Sequence, residues 1–310
     1  MSTSNGWTAD DIPDLIGLRA VVTGANSGLG LHTALELARH GAYTTLACRN
    51  EERGRAAVEK VRAQLGDGAG TADLAILDLS DLSSVRRFAE SWQGPLDILV
   101  NNAGIMATPY SRTADGFESQ LGTNHLGHFA LTGLLLPALR SADAARVVSV
   151  SSLGHRMGRI DFDDLQSEGR YQRWLAYGQS KLANLLFIRE LVRRLNRAGS
   201  TVAAAAAHPG GSDTELFTGF AGRSGPLATF AKRASSLIGQ PAAAGAWPSL
   251  YAATMPDVVP GDYFGPDSPT ESRGNPVRVG MNARARDAVV GRRLWDVSEE
   301  LTGVTYDLPR

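Results

Sequence analysis

Tyr177 and Lys181 stand four residues apart in a helical pattern, so their side chains share one helix face, one turn apart. A tyrosine hydroxyl ordinarily titrates near 10, too high for a good base at neutral pH. A fixed ammonium beside it would stabilise the phenolate and bring that value toward the working range. The pair could therefore act as a tuned acid and base. A surface tyrosine beside a solvated lysine is the plainer alternative. Ser151 and Ser152 follow a valine-rich run, which sets their hydroxyls at the carboxyl end of a strand, where ligands bind in open α/β sheets.

A second group of residues could hold a dinucleotide. In RAVVTGANSGLG a strand-like run leads straight into Thr23, Gly24, Asn26, Ser27, Gly28, Leu29 and Gly30, and a helical pattern follows. Glycines let the backbone turn tightly against a pyrophosphate, and the helix presents free N–H groups and the positive end of its dipole. The glycine spacing departs from the common three-glycine fingerprint, so a plain strand-to-helix connection is the competing account. The second strand ends in LACRN. A carboxylate there would bind the adenosine ribose of NAD, whereas the guanidinium of Arg49 suits the 2′-phosphate of NADP, so NADP(H) is the expected cofactor. Arg49, Arg53 and Arg55 could instead all be solvated residues opening the next helix. Asp78 and Leu79 end the third strand, where a side chain could meet the adenine edge; Ser80 or Asp81 beyond them could equally cap a helix.

The elements that must position these residues alternate regularly. Strands are expected near 18–23, 43–48, 72–77, 96–100, 145–151, 201–207 and 261–264, and helices near 28–40, 51–65, 82–91, 115–139, 176–198, 242–254 and 282–301. This rhythm marks a doubly wound α/β Rossmann fold: a parallel sheet of about seven strands with helices on both faces. No linker divides it, so one domain from residue 17 to 310 is expected behind an N-terminal tail of 1–16. Residues 210–240 break the rhythm. They open on PGG and carry Leu216, Phe217, Phe220, Leu227, Phe230, Leu237 and Ile238, which reads as a lid over an active site, or as a cap on the core.

Composition narrows the class. A net charge of -1, with 31 basic and 32 acidic residues spread along 310, argues against nucleic acid or an anionic membrane surface as the main partner. Cys48 is the only cysteine, which excludes an intrachain disulfide and suits a reducing compartment. Six scattered histidines supply no metal-ligand spacing, so no metal is expected. The polar, acidic N-terminus carries no signal-peptide pattern, and no run reaches the roughly 18 apolar residues of a membrane span. A cytoplasmic protein is the expectation.

Taken in order, TGANSGLG (23–30), NNAG (101–104), YGQSK (177–181) and HPGGSDT (208–214) resemble the short-chain dehydrogenase/reductase family from about Leu18 to the C-terminal region. NNAGIM, TNHLGHF, VSVSSLGH and YGQSKLANLLF are similar to its retinol-dehydrogenase-like branch. The resemblance implies Tyr177 as acid/base, tuned by Lys181 with the help of the positive nicotinamide of the oxidised cofactor; both residues would contact the cofactor, Lys181 through the nicotinamide ribose. It implies Ser152, with Ser151 as the residual choice, as the group steadying the substrate oxygen. Asn124 would hold a water in a proton relay; a core-facing asparagine is the alternative. Asn101, Ala103 and Gly104 would meet the adenosine half of the cofactor, and Pro209, Gly210 and Thr214 the nicotinamide. His125 and His128 receive no role.

Two departures stand out. Gly211 and Ser212 replace bulkier residues after HPG, and Ser27 stands where some NADP-using members carry a basic residue, so Arg49 must act without that helper.

The implied activity is hydride transfer between NADP(H) and a carbonyl/alcohol pair, with reduction the expected direction. Met106, Leu153, Met157, Tyr171 and Trp174 near the motifs point to a hydrophobic substrate. A cofactor-binding sensor or scaffold that does no chemistry, and an epimerase or dehydratase, are the competing functions. Family likeness also implies a homodimer or homotetramer through 115–139 and 176–198.

Overall fold

A computed structural model describes residues 6–66, 68–211 and 240–309. The first half alternates β1 (Arg19–Thr23), α1 (Gly28–Arg39), β2 (Tyr43–Cys48), α2 (Glu51–Arg62), β3 (Thr71–Ile76), α3 (Leu82–Ser91) and β4 (Ile98–Asn101). There follow α4 (Ser119–Leu121), a π-helical turn at Gly122–Leu126, α5 (Gly127–Leu134), α6 (Leu136–Arg140) and β5 (Arg146–Val150). A 3-10 turn at Leu153–Arg156 leads to α7 (Arg173–Arg197), β6 (Ala203–Ala207), α8 (Ala242–Thr254), β7 (Tyr263–Pro266), β8 (Pro276–Arg278) and α9 (Ala288–Thr302). Most of the expected lid, 212–239, lies outside the described residues.

The strands of the described residues form one sheet in the order β3-β2-β1-β4-β5-β6-β7-β8, parallel throughout except for β8, which runs antiparallel to β7. The fold is therefore the doubly wound one that the alternation predicts, with one strand more. β8 spans three residues and opens on Pro276, too short for any periodicity and tolerable only at a sheet edge. The chain builds outward from β1 to β3 and then returns to lay β4 on the other side of β1. Their connections diverge there, which opens a crevice at the carboxyl ends.

Alternate residues of the central strands serve two cores. Val21, Leu99, Val147, Ala204 and Ala206 face a cluster with Phe129, Phe187 and Trp295, while Val22, Val100, Val148 and Ala205 face Leu37, Leu46 and Leu250. Burial on both faces is why these strands read as unbroken apolar runs. Ile12 and Leu15 join the second core and Trp7 packs edge-on against Tyr251 at 5.3 Å, so part of the expected tail is built into the domain.

Two helix expectations change in detail. The pattern at 115–139 becomes a helix that starts at Ser119, loosens into the π turn, and breaks between α5 and α6 before Pro137. The pattern at 282–301 becomes a short 3-10 turn and α9, whose start is capped by the Asp287 side chain and whose end is stopped by Gly303 at φ 61.

Two glycines set how closely the turn after Ser152 packs on α7. A Cβ on Gly158 would lie 2.2 Å from the Gly178 carbonyl oxygen, and one on Gly178 would lie 2.9 Å from that of Gly154. Backbone meets backbone there, so nothing can give cheaply. Gly158→Ala is expected to cost about 1–3 kcal/mol of stability; a thermal melt checks it.

Candidate active site

A crevice of about 350 Å³ lies at the carboxyl ends of β1 to β4. Gly24, Asn26, Ser27, Gly28, Leu29 and Gly30 form its floor, Arg49 and Ala47 come from the end of β2, and Leu77, Asp78 and Leu79 from the end of β3. Asn102, Ala103, Gly104 and Ile105 after β4, with Thr123 of the π turn, complete it. The bare backbone of the turn is required: a Cβ on Gly24, at φ +64, would lie 2.9 Å from the Ala103 Cα, and one on Gly30 would lie 2.5 Å from Asn102 Nδ2.

Thr23 and Asn101 are not among the lining residues; both are buried behind it. The Thr23 hydroxyl accepts the backbone N–H groups of Asn102 and Ala103, each at 2.9 Å, and Asn101 Nδ2 donates to the Thr132 hydroxyl at 2.9 Å. Asn102, which the sequence reading passes over, lines the crevice and donates from Nδ2 to the Thr23 carbonyl at 2.7 Å. NNAG holds both asparagines. Asn101 still belongs to β4, whereas Asn102 stands just past its end, which separates their roles.

With its oxygen accepting twice, the Thr23 hydroxyl has its own proton for His128 Nε2, 2.8 Å away. His128 Nδ1–H then donates to the Asn124 carbonyl at 3.0 Å. Burial holds this imidazole down to about 4, so it stays neutral. His128, left without a role by sequence, thus ties the floor of the crevice to the π turn.

Gly104 leads from the crevice to the second group of residues. A Cβ there would lie 3.2 Å from Asn124 Oδ1 and 3.3 Å from Lys181 Nζ. Asn124 Oδ1 accepts from Ile105 N–H at 2.8 Å, and its Nδ2 donates to the Ile105 carbonyl and the Ser180 hydroxyl, both at 2.9 Å. Both amide protons are thus spent on protein groups, so a relay water here must donate to Asn124 rather than accept from it. The Ser180 hydroxyl passes its proton to the Tyr177 carbonyl at 2.8 Å, which makes Ser180 a support that sequence gave no sign of.

Lys181 Nζ donates to the Val150 carbonyl at 3.0 Å and lies 5.8 Å from the centre of the Tyr177 ring. Ser152 caps the 3-10 turn by accepting from Gly154 N–H at 3.1 Å, and its hydroxyl lies by the Tyr177 ring, both bordering Gly154. Ser151 instead donates to the Lys181 carbonyl at 2.8 Å, so of the two serines it is Ser152 that meets the tyrosine. Trp174 stands edge-on to Tyr177 at 6.4 Å, and Met157, which follows the 3-10 turn, is exposed. The Tyr171 hydroxyl is engaged by Thr108 and Gln120. Pro209 and Gly210 follow β6, with Gly210 at φ +68; Thr214 lies outside the described residues.

The family model for short chain dehydrogenases matches residues 19–222. The chain belongs to the short-chain dehydrogenase family. It is similar to human retinol dehydrogenase 12, 44% identical over 298 residues, covering 94% of this chain and 89% of that protein. Mouse polyprenol dehydrogenase is 41% identical over 302 residues, covering 94% and 86%. The solved structure of an uncharacterised protein from Mycobacterium paratuberculosis is 48% identical, with a TM-score of 0.80 over 98% of this chain and 100% of that one. This short-chain dehydrogenase is accordingly retinol-dehydrogenase-like, an oxidoreductase of alcohol/carbonyl pairs that takes a nicotinamide cofactor. The side-chain-free cradle at Gly24 and Gly30 fits a pyrophosphate. Among its described residues, no helix is long and apolar enough to cross a membrane.

Without cofactor, burial dominates the electrostatics of the pair. Burial pushes the Tyr177 phenol above its ordinary value, and only the neighbouring Ser152 works the other way. The same burial lowers the Lys181 ammonium to about 8. An ammonium already turned to the Val150 carbonyl and itself reluctant to be charged does not lower the phenol on its own.

Lys181 therefore holds its proton less tightly folded than unfolded. Below pH 8 both states carry the charge, and the folded state bears the cost of burying it. As pH rises from about 8 toward the ordinary 10.5, the folded protein releases the proton first and stability rises. Lys181→Met removes a penalty on the order of 3 kcal/mol, while Val150 keeps the N–H of Asn184 at 3.1 Å. The variant should melt higher than the parent at pH 7, and the gap should close between pH 8 and 10.5; melting curves across that range decide it.

Proposed function

We propose that this short-chain dehydrogenase reduces a lipophilic aldehyde or ketone with NADPH. The observation that carries the chemistry is the grouping of the buried Tyr177 with Ser152 across Gly154 and with the buried Lys181, whose Nζ lies 5.8 Å from the tyrosine ring centre. Arg49 at the rim of the crevice, with no acid in its place, supports NADP over NAD.

Asn26 to Gly30 and Ala103 to Gly104 would hold the cofactor along the crevice, with Arg49 against the 2′-phosphate and Asp78 and Leu79 against the adenine. Bound there, the nicotinamide supplies the hydride. The chain supplies the proton and the geometry. Ser152 orients the carbonyl oxygen and Tyr177 donates its proton to that oxygen. The high pKa of the buried phenol suits this direction, because it keeps the proton in place until the oxygen becomes basic. Lys181, held against Val150, is placed to return a proton toward Tyr177, with Asn124 and its water behind it.

The substrate class rests on the likeness to retinol and polyprenol dehydrogenases and on the exposed or half-buried Leu153, Met157 and Trp174 beside Tyr177. A sensor that does no chemistry has no need of the assembled Ser152, Tyr177 and Lys181. A cytoplasmic, reducing setting, which a lone buried Cys48 accommodates, belongs to the same proposal. So does a homodimer or homotetramer, on family likeness alone.

Steady-state consumption of NADPH against a panel of aromatic, retinoid-like and prenyl aldehydes is the test. Tyr177→Phe should lower kcat by at least about a hundredfold with NADPH affinity kept. Arg49→Asp should raise the KM for NADPH about ten- to a hundredfold and leave that for NADH nearly unchanged. Full activity in Tyr177→Phe would refute the chemical assignment, and an equal rise in both KM values would refute the phosphate role of Arg49.

A further inference from the structure

We infer that Glu271 is a positioning residue for the proposed reaction, tying the turn that carries Ser152 to the segment His208–Gly210 on the far side of the site. It rests on the functional reading above and adds a residue that no motif marks. Glu271 lies in the loop between β7 and β8. Its Oε1 accepts from Arg156 Nη2 at 2.7 Å and its Oε2 from His208 Nε2 at 3.1 Å, so one carboxylate serves both arms at once.

The first arm ends at Ser152, the residue proposed to orient the substrate oxygen. Arg156 is the last residue of the 3-10 turn whose first hydrogen bond is made by the Ser152 hydroxyl. The neighbouring His155 is fully buried and bonds the Ser152 carbonyl through Nδ1 at 2.7 Å, so the turn is held at both ends and has little freedom of its own.

The second arm works through a tautomer. Because His208 Nε2 faces a carboxylate, it must carry the ring proton, which leaves Nδ1 as the acceptor for Gly210 N–H at 3.2 Å. The ring is fully buried, and Gly265 makes room for it, since a Cβ there would lie 2.0 Å from Nε2. His155, Arg156 and Tyr263 are the other titratable groups facing it, and burial keeps it neutral. Without the carboxylate the other tautomer becomes accessible, and in that form Nδ1–H would oppose Gly210 N–H.

Backbone strain marks the same residue. Glu271 sits at φ +52, in the left-handed region that a glutamate rarely enters. Its N–H donates to the Ser268 carbonyl at 2.7 Å, and the adjacent Ser272 carbonyl accepts from Gly211 N–H at 2.9 Å. The loop thus grips the segment after β6 by its backbone as well as through the carboxylate.

The test uses the full chain with Glu271→Ala, Glu271→Gln and Glu271→Asp. Two readouts are taken: kcat and KM separately for NADPH-driven reduction, and the imidazole nitrogen-15 spectrum of His208 in the cofactor-free protein. Glu271→Ala should lower kcat about ten- to a hundredfold with the KM for NADPH nearly unchanged, and His208 should no longer hold the single Nε2–H form. Glu271→Asp should recover most of both. Should the alanine variant fail to fold, Glu271→Gln keeps the shape but sets its amide N–H against one of the two donors, and the same losses are expected in part. Arg156→Ala cuts only the serine arm and should lower kcat while leaving the tautomer alone. Wild-type kcat in both Glu271→Ala and Glu271→Gln, or an unchanged His208 tautomer in both, overturns the inference. Should the parent enzyme reduce no carbonyl compound with either cofactor, the functional reading fails instead, and the tautomer readout still judges the linkage.

Discussion

The hydrogen bond from the buried Lys181 ammonium to the Val150 carbonyl sets the register of α7 against the end of β5. Asn184, three residues along the same helix, reaches the same carbonyl, and the Ser151 hydroxyl closes back onto the Lys181 carbonyl. Three bonds across one junction leave α7 a single position along the strand. Ser152 follows directly after that junction, and Tyr177 lies one helical turn before Lys181. Their meeting is a consequence of the register. Burying an ammonium is costly, and a fold tolerates that cost where a perturbed group has work to do.

From that junction the site extends by hydrogen bonds with little slack. Ser180 joins α7 to Asn124, Asn124 pins the chain at Ile105, and His128 carries the connection to Thr23 beneath the glycine turn. The crevice and the cluster around Tyr177 and Lys181 are thereby parts of one network, and Gly104 is the place where they touch. The π turn at Gly122–Leu126 falls in this network, with Thr123 on the crevice and Asn124 next to it facing Gly104. An extra residue in a helical turn is a common device for aiming a side chain at a functional site.

Much of this was legible in the sequence because it rests on local periods. The four-residue spacing of Tyr177 and Lys181, the strand run into the glycine turn, and Arg49 at a strand end all follow from helix and strand geometry. What stayed hidden depends on register or on distance along the chain. Asn101 is the buried last residue of β4, whereas Asn102 just after it lines the crevice. β8 is too short to show a period, and His128, Ser180 and Glu271 acquire their roles from partners many residues away. The burial that pushes the Tyr177 phenol up was hidden for a related reason: spacing reveals a neighbouring charge, whereas depth emerges only from the packed fold.

The central claim is that a buried neutral phenol beside Lys181 keeps its proton until a carbonyl oxygen requires it. Carbon-13 labelling of the tyrosine ring carbon that bears the hydroxyl, with Tyr177→Phe to assign the signal, reads that proton directly. In the cofactor-free protein Tyr177 should titrate above the ordinary tyrosine value of about 10, and NADP+ should bring the midpoint down. A phenolate already formed at neutral pH without cofactor, or a midpoint indifferent to NADP+, would contradict the account.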